Sequence, residues 1–196
     1  MSRKDLTLLT DFYELTMMQG YYKEGQNETV VFDVFFRNNP SDSGYSICAG
    51  LAQVIEYIKN LNFTYEDVDY LRSLGIFSED FLQYLGGFHF TGDIYAIPEG
   101  TVIFPKEPIL KVVAPIMEAQ LVETTILNIL NHQCLIATKA SRVVFAAGGD
   151  SIMEFRMPAC TAQELLSSED VPELPMYWRG VCLTSLYWGP MPTAGL

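Results

Sequence analysis

The chain has 196 residues, of which 49% are hydrophobic, 13% aromatic and only 18% charged, with a formal net charge of −12. That apolar content is enough for a sizeable core and excludes a disordered chain for most of the length, and the acidic balance argues against general nucleic-acid binding, which requires an excess of Lys and Arg. The low charged fraction also implies apolar surface meant for a partner subunit or for a further part of the same chain.

Residues 5–23 are predicted as a helix, with Leu8, Phe12 and Leu15 on one face. Residues 29–37 (TVVFDVFFR) are β-branched and aromatic and predict a strand; the turn formers of Asn38 to Gly44 follow as a loop. A helix is expected over 49–60 with Leu51, Val54, Ile55 and Ile58 inward. Two short helices follow near 65–74 and 78–85, the second closed by Gly86-Gly87. Three short β segments are expected at 88–96, 101–104 and 109–113, separated by Pro98-Glu99-Gly100 and by the rigid turn Pro105 to Pro108. Pro115 then reads as the opening of a helix to about Ala137, with a second helix from about Thr138 to Gly148. Ser151 to Phe155 reads as a buried strand. Residues 156–196 carry five prolines in 41 positions and sustain neither helical nor strand periodicity.

The four cysteines, Cys48, Cys134, Cys160 and Cys182, form no CxxC pair and fit free thiols of a reducing cytosol. The first residues, MSRKDLTLL, lack the apolar stretch of a signal peptide, and no run approaches the ~20 apolar residues of a membrane span. A cytoplasmic protein is expected.

Read singly, the polar motifs are unspecific. Tyr13, near a helix start in Thr10 to Thr16, can present its ring to a flat heterocycle, but Tyr13 and Tyr21 also suit simple packing, and Asp11 suits a helix cap. Arg37, where a strand meets a loop, can fork onto a phosphate or stay solvated. His132, in NILNHQCLIATKASR, and His89 lack partners for a metal site, so no metal ligands are expected. No P-loop, GxGxxG or nucleophile–base pair is present.

Taken in order, LTDFYELTMMQGYY (9–22), VFDVFFRNNP (31–40), SGYSICAGLAQVIEYI (43–58), FTGDIYAIPEGTVIFPKEPILKVVAPIMEAQLVET (90–124) and ILNHQCLIATKASRVVFAAGG (129–149) resemble the nicotinate phosphoribosyltransferase family across nearly all of residues 5–155. The resemblance implies an α+β N-terminal domain over 1–114 and, over 115–155, helices and the first strand of an incomplete α/β barrel of the type II phosphoribosyltransferase kind. It implies a reaction of NAD biosynthesis. Nicotinate and phosphoribosyl pyrophosphate give nicotinate mononucleotide and pyrophosphate, with ATP hydrolysis and Mg2+. It matches Tyr13 to a tyrosine that stacks on the nicotinate ring from across a homodimer interface. Arg37 matches the first of two cations, with Asn38 where a second arginine is usual.

The family pattern stops after Glu154-Phe155. Its Gly-x-Arg-Arg-Ala-Gln run, whose arginines approach the phosphates, is replaced by Arg156-Met157-Pro158-Ala159, and the segment with the phosphorylated histidine is absent. The genetic code suggests why. Codons for Arg156 to Thr161 read from the second base can spell Gly-Cys-Arg-Arg-Ala-Gln. Read out of frame, Met176 before Tyr177 forces valine and Met191 before Pro192 forces alanine, both where the family has them. Residues 156–196 are therefore expected to be an out-of-frame tail, with the coding DNA as the test; the rival is a divergent C-terminal segment. On this reading the chain is an inactive fragment. The alternatives are a related nicotinamide or quinolinate phosphoribosyltransferase and, from another class, a non-catalytic binding module.

Overall fold

The computed structural model describes residues 6–39 and 44–150. The expected strand at 151–155 and the tail from 156 lie outside the described residues. The chain divides into two compact units, each built from discontinuous stretches. The first comprises the chain up to Phe32 with Ile55–Tyr95 and Lys111–Ile126; the second comprises Asp33–Val54, Ala96–Leu110 and the chain from Leu127.

The elements in order are α1 (Phe12–Glu24), β1 (Thr29–Val34), β2 (Ser46–Ile47), α2 (Leu51–Asn60), α3 (Tyr65–Ser73), α4 (Glu79–Gly86), β3 (Asp93–Ala96), β4 (Val102–Ile103), β5 (Leu110–Pro115) and α5 (Ile116–Ala146). Among the described residues, five strands form two sheets, one of order β1-β5-β3 and one pairing β2 with β4. The latter pair is antiparallel, with Ser46 opposite Ile103 and Ile47 opposite Val102. The β segments expected near 88–113 are thus present but divided between sheets, and the first shrinks to Asp93–Ala96.

In the first unit, local chemistry sets the helix ends. Gly25, in the left-handed region at φ 66°, closes α1 by donating its N–H to the carbonyls of Tyr21 and Tyr22. Thr64 and Asp67 form a reciprocal capping box at the start of α3. Gly87 follows α4 and donates to Tyr84, as the paired glycines suggest. The core gathers Met18, Leu71, Phe81, Leu82 and Leu85, all fully buried. Phe81 packs among three other aromatic rings, with centroids 5.8 Å from Tyr22 and Phe77 and 6.3 Å from Tyr84.

The second unit centres on Ile47, Ala49, Ile136 and Ala137, with Tyr45 packed against them. Cys48 and Cys134 are buried free thiols, as expected of these two; the Cys134 thiol donates to the Ala49 carbonyl at 3.3 Å. Glu99 accepts the Gly50 N–H at 2.6 Å and the Ala52 N–H at 3.4 Å, and so caps the start of α2 from a distant loop.

Three sequence expectations need correction. The first helix begins at Phe12, not residue 5, and it buries Glu14, Leu15, Met18 and Gln19, whereas Phe12 is exposed. The residues before it are held by long-range bonds: Thr7 Oγ1 donates to the Asn62 carbonyl at 2.8 Å, and Thr125 Oγ1 donates to that of Leu9. Gln19 is buried because its amide accepts the Ser78 N–H at 2.7 Å, replacing a side-chain cap on α4. In α2 the inward residue beside Val54 is Tyr57, and Ile55 faces out. Finally, Pro115 ends β5 instead of opening a helix, and α5 runs unbroken past residue 138. Thr138 resembles a cap, but its hydroxyl donates to the Cys134 carbonyl at 2.6 Å, one turn back.

Candidate functional site

The first unit carries the most distinctive group of side chains. Tyr13 is the second residue of α1, and its ring is 48% exposed. Phe12 and Met17 are also exposed, so Tyr13 belongs to an apolar patch on the outer face of α1, and the exposed Leu9 lies just before that helix. Phe12 is steadied by an edge-on contact with Phe77, centroids 5.9 Å apart.

Behind this patch lies an acidic group. Glu14 is fully buried. Its Oε1 accepts from Thr124 Oγ1 at 2.8 Å, and its Oε2 is bonded to Thr10 Oγ1. Thr124 Oγ1 also reaches Asp11 Oδ2 at 3.2 Å and accepts the Asp11 N–H at 3.4 Å. Glu123, one residue before Thr124, accepts from the Gln120 amide at 3.3 Å. Burial, then the charges of Glu14 and Asp11, push the Glu123 carboxyl up to about 7. Burial likewise raises Glu14 above the ordinary carboxylate range, against the hydroxyls of Thr10 and Thr124, which favour its charged form. The Tyr13 phenol is raised by burial and by Glu123, Glu14 and Asp11. The chemistry on offer is a flat, neutral aromatic face on a rigid helix start, backed by carboxyls that hold protons unusually well.

Arg37 lies in the second unit, exposed, three residues past β1. The neighbouring Phe36 is buried and its carbonyl accepts the Lys106 N–H at 2.7 Å. Lys106 is exposed and is the one non-glycine among the described residues with positive φ, at 68°. The segment expected to be only a rigid turn thus brings a second cationic residue's backbone to the Phe36-Arg37 corner.

Tyr13 and Arg37 belong to different units. What the structure gathers about Tyr13 is Thr10, Asp11 and Glu14 from one stretch and Glu123 and Thr124 from another, more than 100 residues away. Sequence reading named Asp11 only as a possible cap and missed Glu14, Glu123 and Thr124. Neither a buried glutamate nor a helical threonine carries a local signal. His132 is half-buried, and burial lowers its pKa. Among the described residues no group of three or more His, Cys, Asp or Glu side chains could hold a metal.

The family model described as the nicotinate phosphoribosyltransferase N-terminal domain matches residues 8–131. The chain is 51% identical over 148 residues to nicotinate phosphoribosyltransferase pncB2 of Mycobacterium tuberculosis, covering 76% of this chain and 32% of the relative. It is 45% identical over 151 residues to nicotinate phosphoribosyltransferase of Bacillus subtilis, covering 76% and 31%. Among solved structures, human nicotinic acid phosphoribosyltransferase matches with a TM-score of 0.71 at 27% identity, covering 80% of this chain and 34% of that one. The chain therefore spans about a third of the length of the curated relatives it matches.

Proposed function

The chain belongs to the nicotinate phosphoribosyltransferase family, and on that premise we propose that it represents the N-terminal part of an enzyme that joins nicotinate to phosphoribosyl pyrophosphate in NAD biosynthesis. The observation that carries this reading beyond family membership is the exposed ring of Tyr13 at the start of α1, within the matched residues. A rigid, half-exposed tyrosine suits one face of a pyridine ring. Arg37 is the proposed phosphate-facing cation, with Lys106 beside it.

Residues 115–155 are proposed to open the α/β barrel domain that follows the N-terminal α+β domain over 1–114. The exposed patch of Leu9, Phe12, Tyr13 and Met17 suits burial against a second subunit, which supports the homodimer in which Tyr13 serves the partner's site. ATP hydrolysis and magnesium belong to the proposed reaction, but the described residues do not supply a metal site, and no step through the ion is assigned to them. No helix among the described residues is long and apolar enough to cross a membrane, which is consistent with the proposed cytoplasmic setting.

The test is complementation. Alone, the purified chain is expected to give no nicotinate mononucleotide. Co-expressed with a full-length family member whose own stacking tyrosine is alanine, it should restore turnover by lending Tyr13, and a Tyr13→Ala chain should not. A hybrid dimer that forms without restored turnover would refute the role of Tyr13 and favour a non-catalytic interaction module.

A further inference from the structure

Lys106 is the one described residue other than glycine whose backbone lies in the left-handed region, at φ 68°. It stands third in the turn Phe104-Pro105-Lys106-Glu107, which the Glu107 N–H closes on the Phe104 carbonyl at 3.4 Å. Glycine is the residue that a third turn position at positive φ favours, because a Cβ there crowds the following carbonyl. A lysine in its place costs stability, and the backbone bonds of the turn do not explain it. The Lys106 N–H donates to the Phe36 carbonyl at 2.7 Å, which a glycine would do equally well. Strain held at this one residue therefore points to a use for its side chain.

The surroundings supply that use. The Lys106 bond to Phe36 and the Ile109 N–H bond to the Val34 carbonyl, at 2.8 Å, lay the turn along the chain just past β1. Arg37 directly follows Phe36, so the two cationic side chains start from backbones joined by a single hydrogen bond. Both residues are exposed and both lie in the second unit. In a chain of net charge −12 this pair is a local exception. The acidic neighbour in sequence is Glu107, also exposed, and Asn38 after Arg37 is uncharged. A phosphate group carries up to two negative charges. Arg37 can meet one with forked bonds, and a flexible ammonium from the adjoining segment suits the other. We propose that Lys106 is a second phosphate-binding residue, which with Arg37 grips one phosphate group of phosphoribosyl pyrophosphate. The left-handed turn is kept at a cost in stability because it starts the Lys106 side chain beside Arg37. The assignment rests on the reading of Arg37 as the phosphate-facing cation, and deepens it by naming the partner cation and the purpose of the strain.

The experiment titrates the full chain with two probes, inorganic pyrophosphate and ribose 5-phosphate, followed by 31P resonance, and records the melting temperature of each variant. Lys106→Ala should weaken binding of at least one probe by about fivefold, the upper end for an exposed ion pair, and Lys106→Arg should retain it. The probe that responds more identifies which phosphate of the substrate sits at this corner. Lys106→Gly separates use from structure. It should lose affinity as alanine does, yet melt about 2–4 °C above wild type as the strain is released. A lysine with a purely structural role would move stability and leave affinity alone. Three results would each overturn the assignment: a wild-type chain that binds neither probe, a Lys106→Gly chain that binds as tightly as wild type, or one that melts no higher. Arg37→Ala tests the underlying reading by itself. If it binds both probes like wild type while Lys106→Ala does not, the role of Arg37 falls and that of Lys106 stands; the reverse pattern overturns Lys106 alone.

Discussion

Glu123 makes the acidic corner measurable in stability. Its folded-state carboxyl is raised to about 7 from an ordinary value of 4.5. The folded protein therefore binds the proton more tightly than the unfolded chain, and between those two pH values folding takes up protons. The contribution is fully present below pH 4.5, is lost progressively as pH rises toward about 7, and is constant above. Glu14 adds a slope of the same sign. Urea melts at pH 5, 6, 7 and 8 should show stability falling across this window, and Glu123→Gln should make the fall shallower. An unchanged slope in the variant would show that Glu123 keeps an ordinary carboxyl. Gly92 makes a steric prediction at the same scale. A Cβ there would lie 2.4 Å from Ala114 Cβ and 2.7 Å from the Val113 carbonyl oxygen, both on strand β5. Backbone cannot yield as a flexible side chain can, so Gly92→Ala should cost about 1–3 kcal/mol or more in urea denaturation.

At the element scale, the helices of the first unit show how much is locally encoded. The capping box of α3 needs only Thr64 and Asp67, three residues apart. Its two backbone bonds are Thr64 N to Asp67 Oδ2 at 2.8 Å and Asp67 N to Thr64 Oγ1 at 3.2 Å. Thr64→Ala removes the N-cap acceptor and should destabilise the chain by about 1 kcal/mol, read as a lower urea midpoint with an unchanged slope. The elements that were misjudged are those whose ends depend on remote partners. Leu8 and Leu9 fit a helical period, yet Thr7 is tied to Asn62 and the Leu9 carbonyl to Thr125, and both ties cost the chain its helical course. Thr138 looks like a start signal until its hydroxyl is seen bonding back to Cys134. The 31-residue α5 then runs through without a glycine or proline to stop it.

For the whole molecule, ordered motifs over residues 9–149 were sufficient to show the family and to name Tyr13 as a candidate, because these depend on residue types at fixed spacing along the chain; the order of elements was legible except for β2, which was not expected, and α5, which was expected as two helices. Local spacing was likewise sufficient for α3 and the expected short β segments, whose turn residues and caps act within a few positions, and for the glycine-marked end of α4, although the start of α4 is held by the remote Gln19. Which sheet each β segment joins, and which residues surround Tyr13, required the tertiary structure. Glu14 and Thr124 are separated by 110 positions, and their meeting is a product of chain closure that no local pattern records. Burial then changes what those residues are chemically. A glutamate in water is an anion at neutral pH, but one enclosed beside Asp11 and two hydroxyls is pushed toward the neutral acid, and only the folded surroundings set that balance.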